Sequence, residues 1–263
     1  MKIKKYAAID IGSNAIRLLV SNIISSKGKT LFFKNALVRV PIRLGQDSFT
    51  KGKISDQNIK RIIKSIKAFR LLMKVHNVES YLVYATSAIR DAKNGIQVVD
   101  KVFKNTKIKI EIIDGEKEAN IISNNNVFEV IDVKKTFLYV DVGGGSTEFS
   151  ILTGGKRIHS ISFKIGTVRL INKGVSKQTW RQAEKWVKKH TESYSKICLL
   201  GTGGNINKLH KISGLSDSRP ITYLALSSIY NKLKGLTYEE RITELALNPD
   251  RSDVIIPATQ LFL

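Results

Sequence analysis

The chain has 263 residues, 42% hydrophobic and 8% aromatic, with 44 Lys and Arg against 22 Asp and Glu for a net charge of +22; this suffices for a packed core and excludes collagen-like, low-complexity and disordered classes. A single cysteine, Cys198, excludes an internal disulfide; no Cys/His spacing matches a structural zinc site, and no run approaches the roughly 18 apolar residues of a membrane span. Asp10 interrupts the N-terminal apolar run short of a signal-peptide core, so a cytoplasmic protein is expected, and the basic excess points to a polyanion: nucleic acid, an anionic membrane surface or a phosphate-rich substrate.

In chain order, the apolar runs Tyr6 to Ile11, Ala15 to Ile24 and Thr30 to Val38 are separated by turns at Gly12-Ser13-Asn14 and Ser25 to Gly28, which predicts an antiparallel meander. Ser55 and Asp56 open a helix on which Ile59, Ile62, Ile63, Ile66, Phe69 and Leu72 recur at helical spacing. A strand at Tyr81 to Ala85, a turn into helix at Ser87 to Asp91, a strand at Lys107 to Ile113 and a helix after Gly115 through Glu118, Ile121 and Ile122 follow. At Phe137 the pattern restarts, with strands Phe137 to Val142, Thr147 to Leu152 and Ile158 to Phe163, a helix from Lys177 to Tyr194, a short apolar strand at Leu199-Leu200 and a helix from Ile206. Ala8-Ile9-Asp10-Ile11-Gly12-Ser13 answers Tyr139-Val140-Asp141-Val142-Gly143, with Ser146 three residues on. This repeat predicts an α/β protein of two similar lobes, 1–125 and 126–263, facing each other across a cleft, with the boundary near Asn124 to Lys135.

An Asp-x-Gly corner at a hairpin tip suits phosphate and metal. Its glycines let backbone N–H groups approach an anion, Ser13 and Ser146 add hydroxyls, and Asp10 and Asp141 can hold Mg²⁺ directly or through water. A plain tight turn with a capping Asp explains one such corner well and two facing corners poorly. A third cluster, Gly201-Thr202-Gly203-Gly204-Asn205, lies at a strand-to-helix junction, where amides can bind an anion, but it matches neither the P-loop nor the dinucleotide fingerprint. Thr86-Ser87-Ala88-Ile89-Arg90 places hydroxyls at a helix N-terminus with a guanidinium one turn in, suited to a phosphate or to a structural ion pair. Glu116 and Glu118, two apart on one helix, cannot face the same site, and Glu118 or Glu148 could supply the carboxylate that activates water.

Together the segments AAIDIGSNAIRLLV, RVPIRLGQDSF, YATSAIRDAKNG, IEIIDGEKEANII, FLYVDVGGGSTEFSI, FKIGTVRLIN, LLGTGGNINKL and NPDRSDVIIPA resemble the exopolyphosphatase/guanosine pentaphosphate phosphohydrolase (Ppx/GppA) family, in its short form without the C-terminal HD-type domain. The resemblance implies two ribonuclease-H-like lobes of the actin/Hsp70/sugar-kinase superfamily with an interlobe cleft, and release of a terminal phosphate by water with Mg²⁺ or another divalent cation assisting. On this resemblance Glu118 is the catalytic base, Arg90 a phosphate-contacting catalytic arginine, and Asp141 and Glu148 acidic positions for metal and water. Asp10 joins those two as a metal ligand. Asp10, Gly12, Ser13 and Asn14 form the first phosphate loop, Gly143, Gly144, Gly145 and Ser146 the second, and Arg251 lies near the cleft as a phosphate-binding residue. Lys117 stands where the family often has an acidic residue, Asn205 where a small residue or Thr is more usual, and the second lobe reads as shorter than in family members. The implied substrate is inorganic polyphosphate. The alternatives are guanosine pentaphosphate (pppGpp) and a non-catalytic polyphosphate-binding role; no specific nucleic acid and no membrane partner is expected, and a homodimer is left open.

Overall fold

Every second residue of β1 (Lys2–Ile11) is buried where Ala7, Ile9 and Ile11 point to the core, and Ile16, Leu18 and Val20 do the same on β2 (Ala15–Ser26). A strand alternates its side chains between two faces, so this spacing commits one face to the interior. β1 and β2 pair antiparallel, as do β2 and β3 (Lys29–Pro41), and β1 then pairs in parallel with β4 (Ser80–Ala85). The expected meander is present, and with β5 (Glu111–Ile112) the sheet order is β3-β2-β1-β4-β5. The computed structural model describes residues 2–26, 29–123, 132–172, 174–216 and 219–263 in two compact units, Met1–Asp114 and Gly115–Leu263. The expected division at 125/126 falls within 124–131, outside the described residues.

In the first unit α2 (Asp56–Val75) covers the buried sheet face with Ile59, Ile62, Ile66, Phe69 and Met73. Fully burying side chains of this size contributes about 1.5–3 kcal/mol each. Ser55 caps the helix by accepting from the Asn58 N–H, and its hydroxyl and N–H both donate to Asp47 on α1 (Leu44–Lys51). Burial of Asp47 opposes its ionisation, but these bonds and one from Asn58 outweigh it and hold the carboxyl below its usual range. α3 (Ser87–Arg90) and α4 (Gly95–Thr106) follow β4. The strand expected over Lys107 to Ile113 shrinks to two residues because Lys107 takes a left-handed turn at φ 60° to end α4, and only Glu111 and Ile112 reach register with β4. Ile108 and Ile110 still bury in the core.

The second unit repeats the arrangement after α5 (Gly115–Ser123). β6 (Thr136–Val142) pairs antiparallel with β7 (Thr147–Thr153), β7 with β8 (Lys156–Phe163), and β6 in parallel with β9 (Ile197–Thr202), giving β8-β7-β6-β9. These are two ribonuclease-H-like sheets in one chain. β7 is buried on both faces from Thr147 to Leu152. α6 (Thr167–Ile171) and α7 (Lys177–Thr191) follow β8, the latter ending earlier than expected, and α8 (Gly204–Ser213) follows β9. α9 (Tyr223–Gly235), α10 (Tyr238–Thr243), α11 (Pro249–Ser252) and α12 (Ile255–Phe262) complete the unit. No described helix is long and apolar enough to cross a membrane.

Candidate phosphate and carboxylate site

The two Asp-x-Gly corners are built alike. In the first, the Gly12 N–H donates to the Ala15 carbonyl at 3.1 Å; in the second, the Gly143 N–H donates to the Ser146 carbonyl at 2.9 Å. Each loop is also braced from behind. The Ser13 and Asn14 carbonyls accept from the N–H groups of Gly45 and Arg43, while the carbonyls of Gly143, Gly144 and Gly145 accept from Thr167 N, Val168 N and Arg169 Nε at 3.0, 2.9 and 2.7 Å. With its oxygens committed there, the second loop leaves the N–H groups of Gly144, Gly145 and Ser146 without an acceptor among the described residues. Backbone amides without an internal acceptor are left for an external one, and three in succession are the donor pattern of an anion-binding turn.

Close packing makes this brace specific. A Cβ on Gly166 would stand 2.4 Å from the Gly144 oxygen, so only glycine lets the Ile165–Arg169 segment lie against the loop. Thr147 adds a hydroxyl bond to the Ile165 carbonyl at 2.5 Å. In the first corner Ser13 is buried and its hydroxyl shares a 3.0 Å bond with that of Ser87 at the start of α3. Arg90, on the same short helix, donates through Nη1 to the Ile113 carbonyl at 2.8 Å.

What differs is the charge seven residues after each Asp. Register places Arg17 opposite Asp10, and the two form an ion pair of 2.9 Å with side chains 49% and 42% exposed. The same register places Glu148 opposite Asp141. The first corner therefore carries an acid with its counter-charge, and the second carries two acids. Glu148 is 3% exposed and accepts a 2.8 Å bond from the Ser162 hydroxyl. Burial, then the charge of Glu118, then that of Asp141 push its carboxyl up to about 8, against bonds from Ser146 and Ser162. Neighbouring groups forced apart in protonation behaviour are characteristic of acid–base sites.

α5 brings Glu118 to this cluster, whereas Glu116, two residues away, is exposed in the groove between α5 and β8. Asp141 lies against the turn before α8, where Gly203 adopts φ 95° and a Cβ would stand 3.2 Å from Oδ1. Arg251 Nη1 donates to the Gly204 carbonyl at the start of α8. Next to it, Thr202 donates to the Tyr139 hydroxyl at 3.0 Å, and burial with the nearby Asp141 and Glu148 charges raises the phenol. Among the described residues no three His, Cys, Asp or Glu side chains are set to hold a metal ion. Two carboxylates are nevertheless an ordinary protein share for Mg²⁺, whose other ligands are water and substrate phosphate, so Asp141 and Glu148 fit that ion.

Both corners, Glu118 and Glu148 are legible as candidates in the sequence; Arg17, Ser162, Tyr139 and the bracing role of Ile165–Arg169 are not. Ser162 carries no motif and could be found only from the β7–β8 register. Gly166 was visible within FKIGTVRLIN, but its purpose depends on a contact with Gly144.

The model of the Ppx/GppA phosphatase family matches residues 24–263. The bifunctional 3-dehydroquinate synthase/phosphatase of Fusobacterium nucleatum is 31% identical over 96% of this chain, which spans only 42% of that protein's length. Exopolyphosphatase 2 of Mycobacterium tuberculosis is 27% identical, with 97% of this chain and 88% of that protein covered. Among solved structures, an exopolyphosphatase from Cytophaga hutchinsonii superposes with a TM-score of 0.83 at 23% identity, covering 98% of this chain and 89% of that one. The Aquifex aeolicus PPX-GPPA enzyme gives 0.72 at 25% identity, covering 100% and 91%.

Proposed function

Because the chain belongs to the Ppx/GppA phosphatase family, we propose that it is an exopolyphosphatase that releases terminal orthophosphate from inorganic polyphosphate by attack of water, with a divalent cation assisting. The observation that carries this reading is the open amide run Gly144-Gly145-Ser146 beside the acids Glu118, Asp141 and Glu148. A run of successive amide donors fits phosphate oxygens, and carboxylates beside it fit water and a cation rather than a nucleic-acid backbone.

In this reading the second loop holds the phosphate oxygens through its N–H groups, while the Ser146 hydroxyl stays with Glu148. Glu118 orients a water and takes its proton as oxygen attacks phosphorus, the bridging P–O bond breaks, and the shortened chain leaves with the bonding electrons. Phosphoryl transfer is mostly positioning and charge neutralisation, so fixed amides and cations carry much of the work. Asp141 and Glu148 would hold the cation, which supplies positive charge against the phosphate oxygens when bound. In the first unit Gly12, Ser13 and Asn14 form a second phosphate corner, Asp10 is balanced by Arg17, and Arg90 is a fixed cation. A cytoplasmic setting, supported by the lone Cys198, belongs to the same proposal.

The test is phosphate release from long-chain polyphosphate, with and without Mg²⁺, by the wild type and Glu118→Gln. The variant should bind the polymer and lose about 10²–10⁴-fold in turnover, the usual contribution of a positioned base. Undiminished release by Glu118→Gln refutes the assignment, and faster hydrolysis of pppGpp in parallel assays would replace the substrate.

A further inference from the structure

α7 is fixed to its sheet by one side only. Ala183 is buried, Trp180, Trp186 and Val187 pack against the core, and the Trp186 ring lies 6.4 Å from Phe149 and stacks on His190 at 4.5 Å. At about 100° per residue the other side collects Lys177, Arg181, Lys185, Lys188 and Lys189, all exposed, with Glu184 at the edge of the stripe and Glu192 at the helix end. Arg181, Lys185, Lys188 and Lys189, with those two glutamates, line a shallow depression of about 430 Å³. Glu184 lies one turn from Lys188, yet no ion pair among the described residues engages any of these four cations.

Four cationic heads on neighbouring turns repel one another and favour an external anion. The stripe is one helix wide and, at 1.5 Å per residue from Lys177 to Lys189, about 18 Å long, which suits a thin, flexible chain with a charge on every unit. It carries no exposed aromatic ring on which a base could stack, because both tryptophans turn inward. It also lacks the apolar flank that a membrane-surface helix inserts. Glu148 and Phe149 are successive residues of β7 and so point to opposite faces of the sheet; Phe149 meets α7, and Glu148 belongs to the carboxylate cluster.

We propose that the solvent face of α7, centred on Arg181, Lys185, Lys188 and Lys189, is a docking site for linear polyphosphate, on the sheet face opposite the carboxylates. The proposal rests on the reading of the protein as a polyphosphate enzyme and adds a second point of attachment to it. A long chain held there raises its own local concentration at the protein. A chain of three phosphates is too short to gain from this.

The test combines Arg181→Gln, Lys185→Gln, Lys188→Gln and Lys189→Gln; glutamine sustains helix well, and circular dichroism checks the fold. Binding of long-chain polyphosphate is measured against salt in the Glu118→Gln background, so that the readout is independent of hydrolysis. By analogy with single-stranded nucleic acid, four lost phosphate contacts lower the slope of log K against log salt by about 2.8, which is about 50-fold in affinity between 50 and 200 mM salt. Tripolyphosphate turnover, measured with Glu118 intact, should stay at the wild-type rate. An unchanged slope overturns the proposal. So does a parallel loss of tripolyphosphate turnover, or a loss confined to a labelled single-stranded oligonucleotide with polyphosphate binding retained. Absence of phosphate release from every substrate sinks the proposed function instead, while the salt slope still decides the docking site.

Discussion

Glu148 should make this protein less stable as pH rises through neutrality, and Glu148→Gln should remove that dependence. The carboxyl is 3% exposed and raised from the ordinary value of 4.5 to about 8, first by burial and then by Glu118 and Asp141. Between those two pH values the unfolded chain has released the proton and the folded chain keeps it, so unfolding releases a proton and becomes easier as pH rises. Each pH unit lowers stability by about 1.4 kcal/mol, and the whole interval from 4.5 to about 8 amounts to about 5 kcal/mol. Glutamine is neutral throughout and its amide oxygen still accepts from Ser162. The variant should therefore match the wild type near pH 4.5 and exceed it progressively up to pH 8. Urea unfolding of both proteins at half-unit steps of pH gives the difference for Glu148 and the acids coupled to it, Glu118 and Asp141, because the titrating groups away from this cluster cancel. Adding Mg²⁺ should flatten the wild-type curve, since a bound dication favours the carboxylate. Parallel stability curves for the two proteins would refute the reasoning.

The brace behind the triple-glycine loop should be equally sensitive. Gly166→Ala places a methyl 2.4 Å from the Gly144 oxygen, and the overpacking should cost about 1–3 kcal/mol in urea unfolding together with a fall in phosphate release; unchanged values of both would show that the loop does not depend on this contact. Arg251→Lys keeps the charge but not the guanidinium that donates to Gly204 at the start of α8, next to the Gly203 turn against which Asp141 lies. It should weaken Mg²⁺ binding by about tenfold, the scale of one charged hydrogen bond, as read by titration calorimetry without substrate; an unaltered metal affinity with a raised KM for polyphosphate would make Arg251 a direct phosphate contact instead.

Much of the fold could be read locally. The alternation of Ala7, Ile9 and Ile11, the helical recurrence of Ile59, Ile62, Ile66 and Phe69, and the cap at Ser55 each follow from side-chain period and backbone hydrogen bonding within a few residues. The strand expected at Lys107 to Ile113 is cut to Glu111–Ile112 because a left-handed Lys107 ends α4, a choice that nearby apolar residues do not announce. Short helices α1 and α6, of 8 and 5 residues, are too brief for the apolar recurrence over several turns that marks a helix in sequence.

The sequence by itself determined that there are two Asp-x-Gly corners on two repeated hairpins, because the residues of such a turn are contiguous. Only tertiary structure decided that the corners are chemically unequal. Strand register sets Arg17 against Asp10 and Glu148 against Asp141, and packing brings Glu118, thirty residues from Glu148 along the chain, close enough to raise its proton affinity. Ser162 and Arg251 belong to the same lesson: their partners lie 14 and 47 residues away, and no local pattern links them. A charge acts through distance in space and through the water it loses on burial, and both are fixed only when the sheets and helices close around it.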